Sequence, residues 1–297
     1  MKHYNFSVVI TTFNRPKLLL RAINSVRMQR RLGTEIEIVV IDDASTLPLP
    51  ELEKDDLLLF RMPVNGGPGP GRMRGIELAN APWVLVLDDD DELLPESITD
   101  LQDALASNDF SNRAVIQFAR SNGGLDWNFR DVTFDDYINK RIRGDFTPVF
   151  NKLIFQNSGL SFPKTKVGGE HLLWWRLALQ DGIPSYAKPL VRLGVDADNR
   201  LTDVNTQIRR AREHQLLAEM TLSEFGEVLL SRYPDEYRQR CIARIVYALL
   251  SGERQQAWLY LKNLQASLKI KMCLYAICLL PSYLVRDLFK TYRNLQR

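Results

Sequence analysis

Cysteine, long apolar runs and an excess of charge of either sign are all scarce in this sequence. The 297-residue chain has three cysteines, Cys241, Cys273 and Cys278. Their number is odd and their spacing matches no ligand pattern, which argues against a disulfide framework or a cysteine zinc site and fits reduced, cytosolic thiols. No stretch reaches the roughly 18 consecutive apolar residues of a membrane span. Met1-Lys2-His3-Tyr4-Asn5-Phe6 has no leader pattern, and a cytosolic chain that enters its first strand directly is expected. The net charge is only +3, so nucleic acid is not an expected partner. There is no internal repeat and no low-complexity tract. Hydrophobic content of 45% and charged content of 25% are those of an ordinary globular protein. The length suits one large domain or a domain with a helical appendage.

The most informative stretch is Trp83-Val84-Leu85-Val86-Leu87 followed by Asp88-Asp89-Asp90-Asp91-Glu92. Its apolar half lacks polar alternation and reads as a buried strand of a parallel sheet. Its acidic half then falls at the carboxyl end of that strand, where open α/β sheets place their ligands. A solvated turn accounts for one or two acids; four in a row beside a core strand point to a divalent cation.

Around this stretch the chain alternates strand and helix. Phe6 to Thr12 is a β-branched strand, Pro16 suits the first turn of a helix, and Ile36 to Ile41 is a second strand ending in Asp42-Asp43-Ala44-Ser45. Leu57 to Phe60 is a short third strand. Asn65-Gly66-Gly67-Pro68-Gly69-Pro70-Gly71-Arg72-Met73-Arg74-Gly75 follows, giving close backbone approach and a fixed path. It matches neither the phosphate loop nor the dinucleotide fingerprint, and a rigid loop before a helix is its plain alternative. Arg72 and Arg74 near a helix start make more sense facing an anion than as caps. A helix after Pro95 and a strand over 114–119 come next. Residues 121–145 are hard to place; their Trp127, Phe129, Phe134 and Tyr137 would either line an acceptor or pack under a loop. Residues 147–155 read as a strand or a strand–helix junction. Glu170-His171 opens a helix after the glycine pair at 168–169, a carboxylate and an imidazole of the kind a catalytic base requires.

From about Asn205 glycine is scarce and helical periodicity takes over, with helices expected over 205–231, 234–250, 253–267 and 269–296 and breaks near Pro234, Gly252 and Pro281. The division expected is a domain over 1–204 (nucleotide half 1–110, acceptor half 111–204) and a helical region over 205–297. Between Lys269 and Arg297 six positive residues face Asp287 alone, a local charge of +5. An apolar, basic, aromatic-bearing helix of this kind reads as lying in an anionic membrane interface; packing on the rest of the chain or a homodimer seam is the alternative.

Thr11 to Asn14, Asp42-Asp43 and Asp88 to Asp91 thus end successive strands. With Arg72 they describe a site for a polar ligand held through a metal. A diphosphate suits a cation with few carboxylates, because phosphate oxygens complete the shell of Mg²⁺. The same cation would stabilise a departing diphosphate. Sugar transfer, pyrophosphorolysis and phosphodiester hydrolysis remain open on these grounds.

Four separated motifs, covering roughly residues 5–190, carry a family resemblance: Val9-Ile10-Thr11-Thr12-Phe13-Asn14-Arg15; Val39-Val40-Ile41-Asp42-Asp43-Ala44-Ser45; Asn65-Gly66-Gly67 with Gly71-Arg72 and Gly75; and Leu87-Asp88-Asp89-Asp90-Asp91-Glu92-Leu93-Leu94-Pro95. In this order they resemble the inverting family 2 glycosyltransferases of GT-A fold, especially bacterial enzymes of lipopolysaccharide, O-antigen and capsule assembly. The resemblance implies an α/β fold, a Rossmann-like mixed sheet flanked by helices, with a C-terminal helical extension. It implies a nucleotide-sugar donor, UDP-linked by preference, Mn²⁺ or Mg²⁺ as cofactor, and an acceptor glycan on undecaprenyl or lipid A-core. It implies that Asp43 bonds the base, that Thr11 and Asn14 lie near the nucleotide and that Arg72 helps to hold it. Asp88 would meet the ribose or metal, Asp90 would be the chief metal ligand, and Asp91 would orient the donor sugar. Asp89 belongs to the donor site or is merely solvated or capping, as is Glu92. The family usually has Glu-Asp before the Trp/Leu-x-x-Arg helix, the Asp being the base; here His171 takes that position, so Glu170 or His171 is the expected base. The enzyme rival, a nucleotidyltransferase, would show a glycine-rich basic loop after the first strand, which Phe13-Asn14-Arg15-Pro16 is not. A non-catalytic nucleotide-sugar-binding partner of another transferase is the rival that His171 supports.

Overall fold

The computed structural model describes residues 4–30, 35–52, 57–123, 125–195 and 203–295. The first three residues and the end of the expected last helix, 296 and 297, lie outside them. The chain forms two compact units, Met1–Ala197 and Asp198–Arg297.

The first unit runs β1 (Phe6–Thr12), α1 (Pro16–Arg30), β2 (Ile36–Asp42), β3 (Leu57–Arg61), α2 (Pro68–Leu78), β4 (Trp83–Asp88), β5 (Glu92–Leu93), α3 (Ser97–Ser107), β6 (Val115–Arg120), β7 (Phe129–Val132), α4 (Phe134–Ile138), β8 (Phe146–Asn151), α5 (Lys152–Asn157), α6 (His171–Gln180) and β9 (Ile183–Arg192). These make one mixed sheet in the order β3-β2-β1-β4-β8-β6-β9-β5, with β7 also on β9. The first four strands are parallel, and β8 runs antiparallel to both β4 and β6. The register sets Thr11 beside both Ile41 and Asp88, so the carboxyl ends of β1, β2 and β4 finish level.

Apolar residues on both faces make β1, β2 and β4 the centre of the core. Val8, Ile10, Ile38, Val40, Leu85 and Leu87 pack with Leu19, Ala22, Ile23 and Val26 of α1. The one charged interruption of β2, Glu37, is buried but satisfied: Ser7 Oγ donates to it at 2.5 Å and the Asn80 amides at 2.7 and 2.5 Å, as a buried carboxylate requires. The loop at 65–71 gives the close approach its glycines imply. Gly67 has φ +85°, and a Cβ there would lie 2.6 Å from the Thr165 carbonyl oxygen. Within α2, a Cβ at Gly75 would lie 2.2 Å from a methyl of Val9, so the helix lies directly on β1.

The segment 121–145 holds β7 and α4, which the sequence leaves unassigned. Thr133 and Asp136 cap α4 reciprocally. Its aromatics pack: Phe134 is edge-on to Trp175, Phe129 lies 4.5 Å from Tyr186, and Tyr137 is within hydrogen-bonding distance of Gln117.

The second unit is helical: α7 (Val204–Arg209), α8 (Ala211–Arg232), α9 (Pro234–Leu250), α10 (Arg254–Lys262), α11 (Leu268–Leu279) and α12 (Ser282–Leu295). The first expected helix is broken at Arg210 and the last at Pro281, where proline removes an N–H donor. Its core joins Ile245, Ala248, Leu249, Ala257, Leu261 and Leu274 to Val285 and Phe289 of α12.

Candidate active site

The level strand ends bring the four consecutive aspartates against two other loops. A turn follows β4, closed by the Asp91 amide on the Asp88 carbonyl at 3.1 Å. The turn divides its carboxylates. Asp89 and Asp91 are buried, whereas Asp88 and Asp90 are partly open.

Asp89 accepts from Thr12 Oγ1 at 2.7 Å and Arg15 Nη1 at 3.0 Å. It is therefore neither solvated nor a cap. Burial pushes its carboxyl up to about 6, with Arg15 and Thr12 acting in the opposite direction. Asp91 accepts from Arg120 Nη1 at 2.7 Å and the Gly194 amide at 2.9 Å. Burial pushes it also to about 6 against the pull of Arg120. Asp88 is clamped: Arg72 Nη2 reaches one oxygen at 2.6 Å and Arg120 Nη2 the other at 3.1 Å. Burial opposes its ionisation, but the two guanidinium groups outweigh burial and hold it well below the usual carboxylate range. Asp90 has the loosest environment of the four, with Arg15 Nη1 at 3.5 Å and Arg21 donating to its backbone carbonyl. Glu92 pairs with Arg21 at 3.4 Å.

Arg72 carries the site across to the segment before α6. Its Nη1 meets Glu170 Oε1 at 2.6 Å while its Nη2 holds Asp88, and the Phe162 ring lies 5.6 Å below it. Three residues far apart in sequence, 72, 88 and 170, are thereby joined. Glu170 precedes α6, yet its side chain makes no capping bond; its carboxylate is taken by Arg72. His171 begins α6, its ring edge-on to Trp175 at 5.1 Å.

Asp43 lies on the opposite side of the strand ends. Its carboxylate accepts from the Gly66 and Gly67 amides, both at 2.8 Å, and burial raises its pKa despite those bonds. Asn14, at φ 58°, accepts from the Thr46 and Leu47 amides and so ties the β1 loop to the β2 loop. Thr11 packs against Gly71.

Two contributors carry no role in the sequence reading. Arg120 ends β6, and Arg15 sits within a motif. The signal for Arg120 is a lone cation directly after an apolar strand, adjacent to no acid in sequence.

The donor set fits a divalent cation in one way. Among the described residues no three His, Cys, Asp or Glu side chains converge as a cage. Mg²⁺ binds through one or two carboxylates plus phosphate oxygens, and Asp90, partly open and outside the arginine clamp, has that character. Both Asp88 oxygens are already on arginines.

A mixed sheet covered by its own helices, with carboxylates at level strand ends, defines an α/β fold. Residues 7–163 match the family described as glycosyl transferase family 2, and the chain belongs to it. Over 186 residues it is 28% identical to a GalNAc(5)-diNAcBac-PP-undecaprenol beta-1,3-glucosyltransferase of Campylobacter jejuni, covering 58% of this chain and 59% of that protein. It is 29% identical over 181 residues to the Staphylococcus aureus poly(ribitol-phosphate) beta-N-acetylglucosaminyltransferase TarS, covering 57% of this chain and 31% of that one. The chain thus spans less than two thirds of these curated relatives. In fold it resembles S. aureus TarS 1-349 in complex with UDP-GlcNAc (TM-score 0.55, 19% identity, 83% of this chain and 81% of that one). It also resembles a Pyrobaculum calidifontis mannosyltransferase in complex with GDP-Man and Mn²⁺ (TM-score 0.51, 15% identity, 99% and 84%).

Proposed function

We propose that the chain is an inverting glycosyltransferase. It moves a sugar from a nucleoside-diphosphate donor, a UDP-sugar by preference, to a hydroxyl of a lipid-linked or growing surface-polysaccharide acceptor. The observation that carries this reading is the Asp88–Arg72–Glu170 bridge, which sets a carboxylate suited to act as base beside the donor-side aspartates. The acceptor O–H gives its proton to Glu170, its oxygen forms the new bond to the anomeric carbon, and the bond from that carbon to the diphosphate breaks with inversion. Mn²⁺ or Mg²⁺, when bound at Asp90, supplies neutralising charge to the diphosphate. Arg72 and Arg120 orient the donor side, Thr11, Asn14 and Asp43 serve the nucleotide, and Asp91 positions the sugar through Arg120. His171 is the alternative base.

The apolar and basic α12 supports contact with the cytoplasmic face of an anionic membrane. Leu284, Leu288, Tyr292 and Leu295 are exposed on it, and among the described residues no helix is long and apolar enough to cross a membrane. A homodimer seam on that stripe is the competing use.

The test is a panel of nucleotide sugars with Mn²⁺ or EDTA on the wild type and on Asp90→Ala. Turnover of one donor that needs the metal and disappears in Asp90→Ala is expected. Tight donor binding without turnover, with and without acceptor glycans, would favour the non-catalytic binding partner instead.

A further inference from the structure

The helical unit holds a pocket of about 450 Å³ that the transfer reading does not use. Its volume is within the range of small-ligand sites. Three guanidinium-bearing side chains line it: Arg209 at the end of α7, Arg212 in the first turn of α8 and Arg286 on α12. Asn205 and Ser251 add polar groups, and Leu250 forms part of the wall. No acid lines it.

Three exposed arginines on one pocket with few carboxylates repel one another, screened by water and salt, and make the pocket locally positive and receptive to an anion. Glu253 pairs with Arg212 at 2.5 Å. Arg209 donates only to the neutral hydroxyl of Thr206 at 3.3 Å, and Arg286 has no carboxylate partner among the described residues. Among the described residues the pocket therefore carries about two positive charges without a carboxylate partner. The nearest acids along the chain, Glu213 and Asp287, are not among its lining residues.

The elements that carry these arginines are fixed. Val285 and Phe289 anchor α12 in the unit's core, and Val204 and Ala211 anchor the α7–α8 junction in the same core. The three side chains consequently reach the pocket from two rigid supports. Planar guanidinium groups match the paired oxygens of phosphate bidentately, which amines do not.

We propose that this pocket binds a phosphate or diphosphate group, with Arg209, Arg212 and Arg286 as its ligands. The group is either carried on a lipid or part of a soluble phosphorylated compound. The proposal is independent of glycosyl transfer and stands or falls on binding alone.

Inorganic pyrophosphate is the probe, titrated calorimetrically in EDTA into the full chain and into Arg286→Gln, Arg209→Gln and Lys290→Gln. Arg286 and Lys290 are both exposed residues of α12, but only Arg286 lines the pocket. A site-specific contact predicts that Arg286→Gln and Arg209→Gln each weaken binding by about tenfold or more, as expected for loss of a charge-assisted pair, while Lys290→Gln changes it less than about twofold. Pyrophosphate held in the first unit would be untouched by all three variants. No loss in Arg286→Gln, or an equal loss in Lys290→Gln, overturns the proposal, since the first leaves the pocket idle and the second marks a diffuse field. Flotation with phosphatidic acid in phosphatidylcholine vesicles separates the sources. Binding that Arg286→Gln abolishes and pyrophosphate displaces assigns a lipid phosphate; pyrophosphate binding with no such flotation assigns a soluble ligand.

Discussion

Replacing Asp89 by asparagine should make the protein more stable and less active, and the gain should depend on pH. Asp89 is 4% exposed, and its carboxyl is pushed from 3.8 up to about 6. A raised carboxyl pKa means that the folded state resists ionisation. Its cost is present above pH 6, shrinks as pH falls through the window between 6 and 3.8, and vanishes below it. With the carboxyl moved from 3.8 to about 6, the buried charge costs roughly 3 kcal/mol at pH 8. At pH 5 the same relation leaves roughly half of that cost. Asparagine keeps one acceptor oxygen, for Arg15 Nη1, and its amide NH₂ takes the place of the oxygen that accepts from Thr12 Oγ1 and donates to that hydroxyl instead, without carrying the charge. Losing the charge-assisted character of the Arg15 bond offsets part of the gain, while Arg15 keeps Asp90 at 3.5 Å. Chemical denaturation at pH 8 and pH 5 gives the answer. Asp89→Asn should be the more stable by about 1–2 kcal/mol at pH 8, with the difference roughly halved at pH 5. A variant destabilised equally at both values would refute the reasoning, for then the ion pair with Arg15 outweighs burial. Asp91, raised for the same cause, stays in place and preserves a fall in stability from pH 4 to pH 7 in both proteins.

Two further outcomes follow from the geometry. Gly75→Ala drives a Cβ to 2.2 Å from Val9 and should cost about 1–3 kcal/mol through overpacking, read as a lower denaturation midpoint with unchanged slope; no change would mean that α2 is free to lift off β1. In initial-rate profiles against pH, Glu170→Gln should abolish transfer while His171→Asn retains it and shifts no limb between pH 6 and 7; the reverse pattern makes His171 the base, and His171→Asp should then restore what His171→Asn loses.

Much of the sheet was legible because β1, β2 and β4 are apolar on both faces and end in polar clusters. The acidic turn, the glycine-rich entry to α2 and the start of α6 were legible for the same reason: each is a local composition. β9 was not. Pro184, Pro189 and Lys188 break its apolar pattern, and its pairing with β6 slips register twice, so neither period nor propensity marks it. What β9 brings, Gly194 just beyond its end to Asp91, was equally hidden. The arginine partners were invisible for a different reason. Arg15 and Arg120 are separated from their aspartates by 74 and 29 residues, and only the sheet order brings them together. The break between α11 and α12, by contrast, was readable directly from Pro281.

The arginine clamp also has a consequence in overall charge balance. Five carboxylates, Asp88 to Asp91 and Glu170, are held by three guanidinium groups, Arg15, Arg72 and Arg120. When all are ionised the cluster is two charges negative. An incoming diphosphate would deepen that deficit, so admission of the donor is tied to whatever positive charge accompanies it. One divalent cation closes the balance before the ligand's own charge is counted. Proton uptake by Asp89 and Asp91, both near 6, is a reserve the cluster itself contains. Donor affinity in this protein should therefore vary with acidity even where the chemistry of transfer does not.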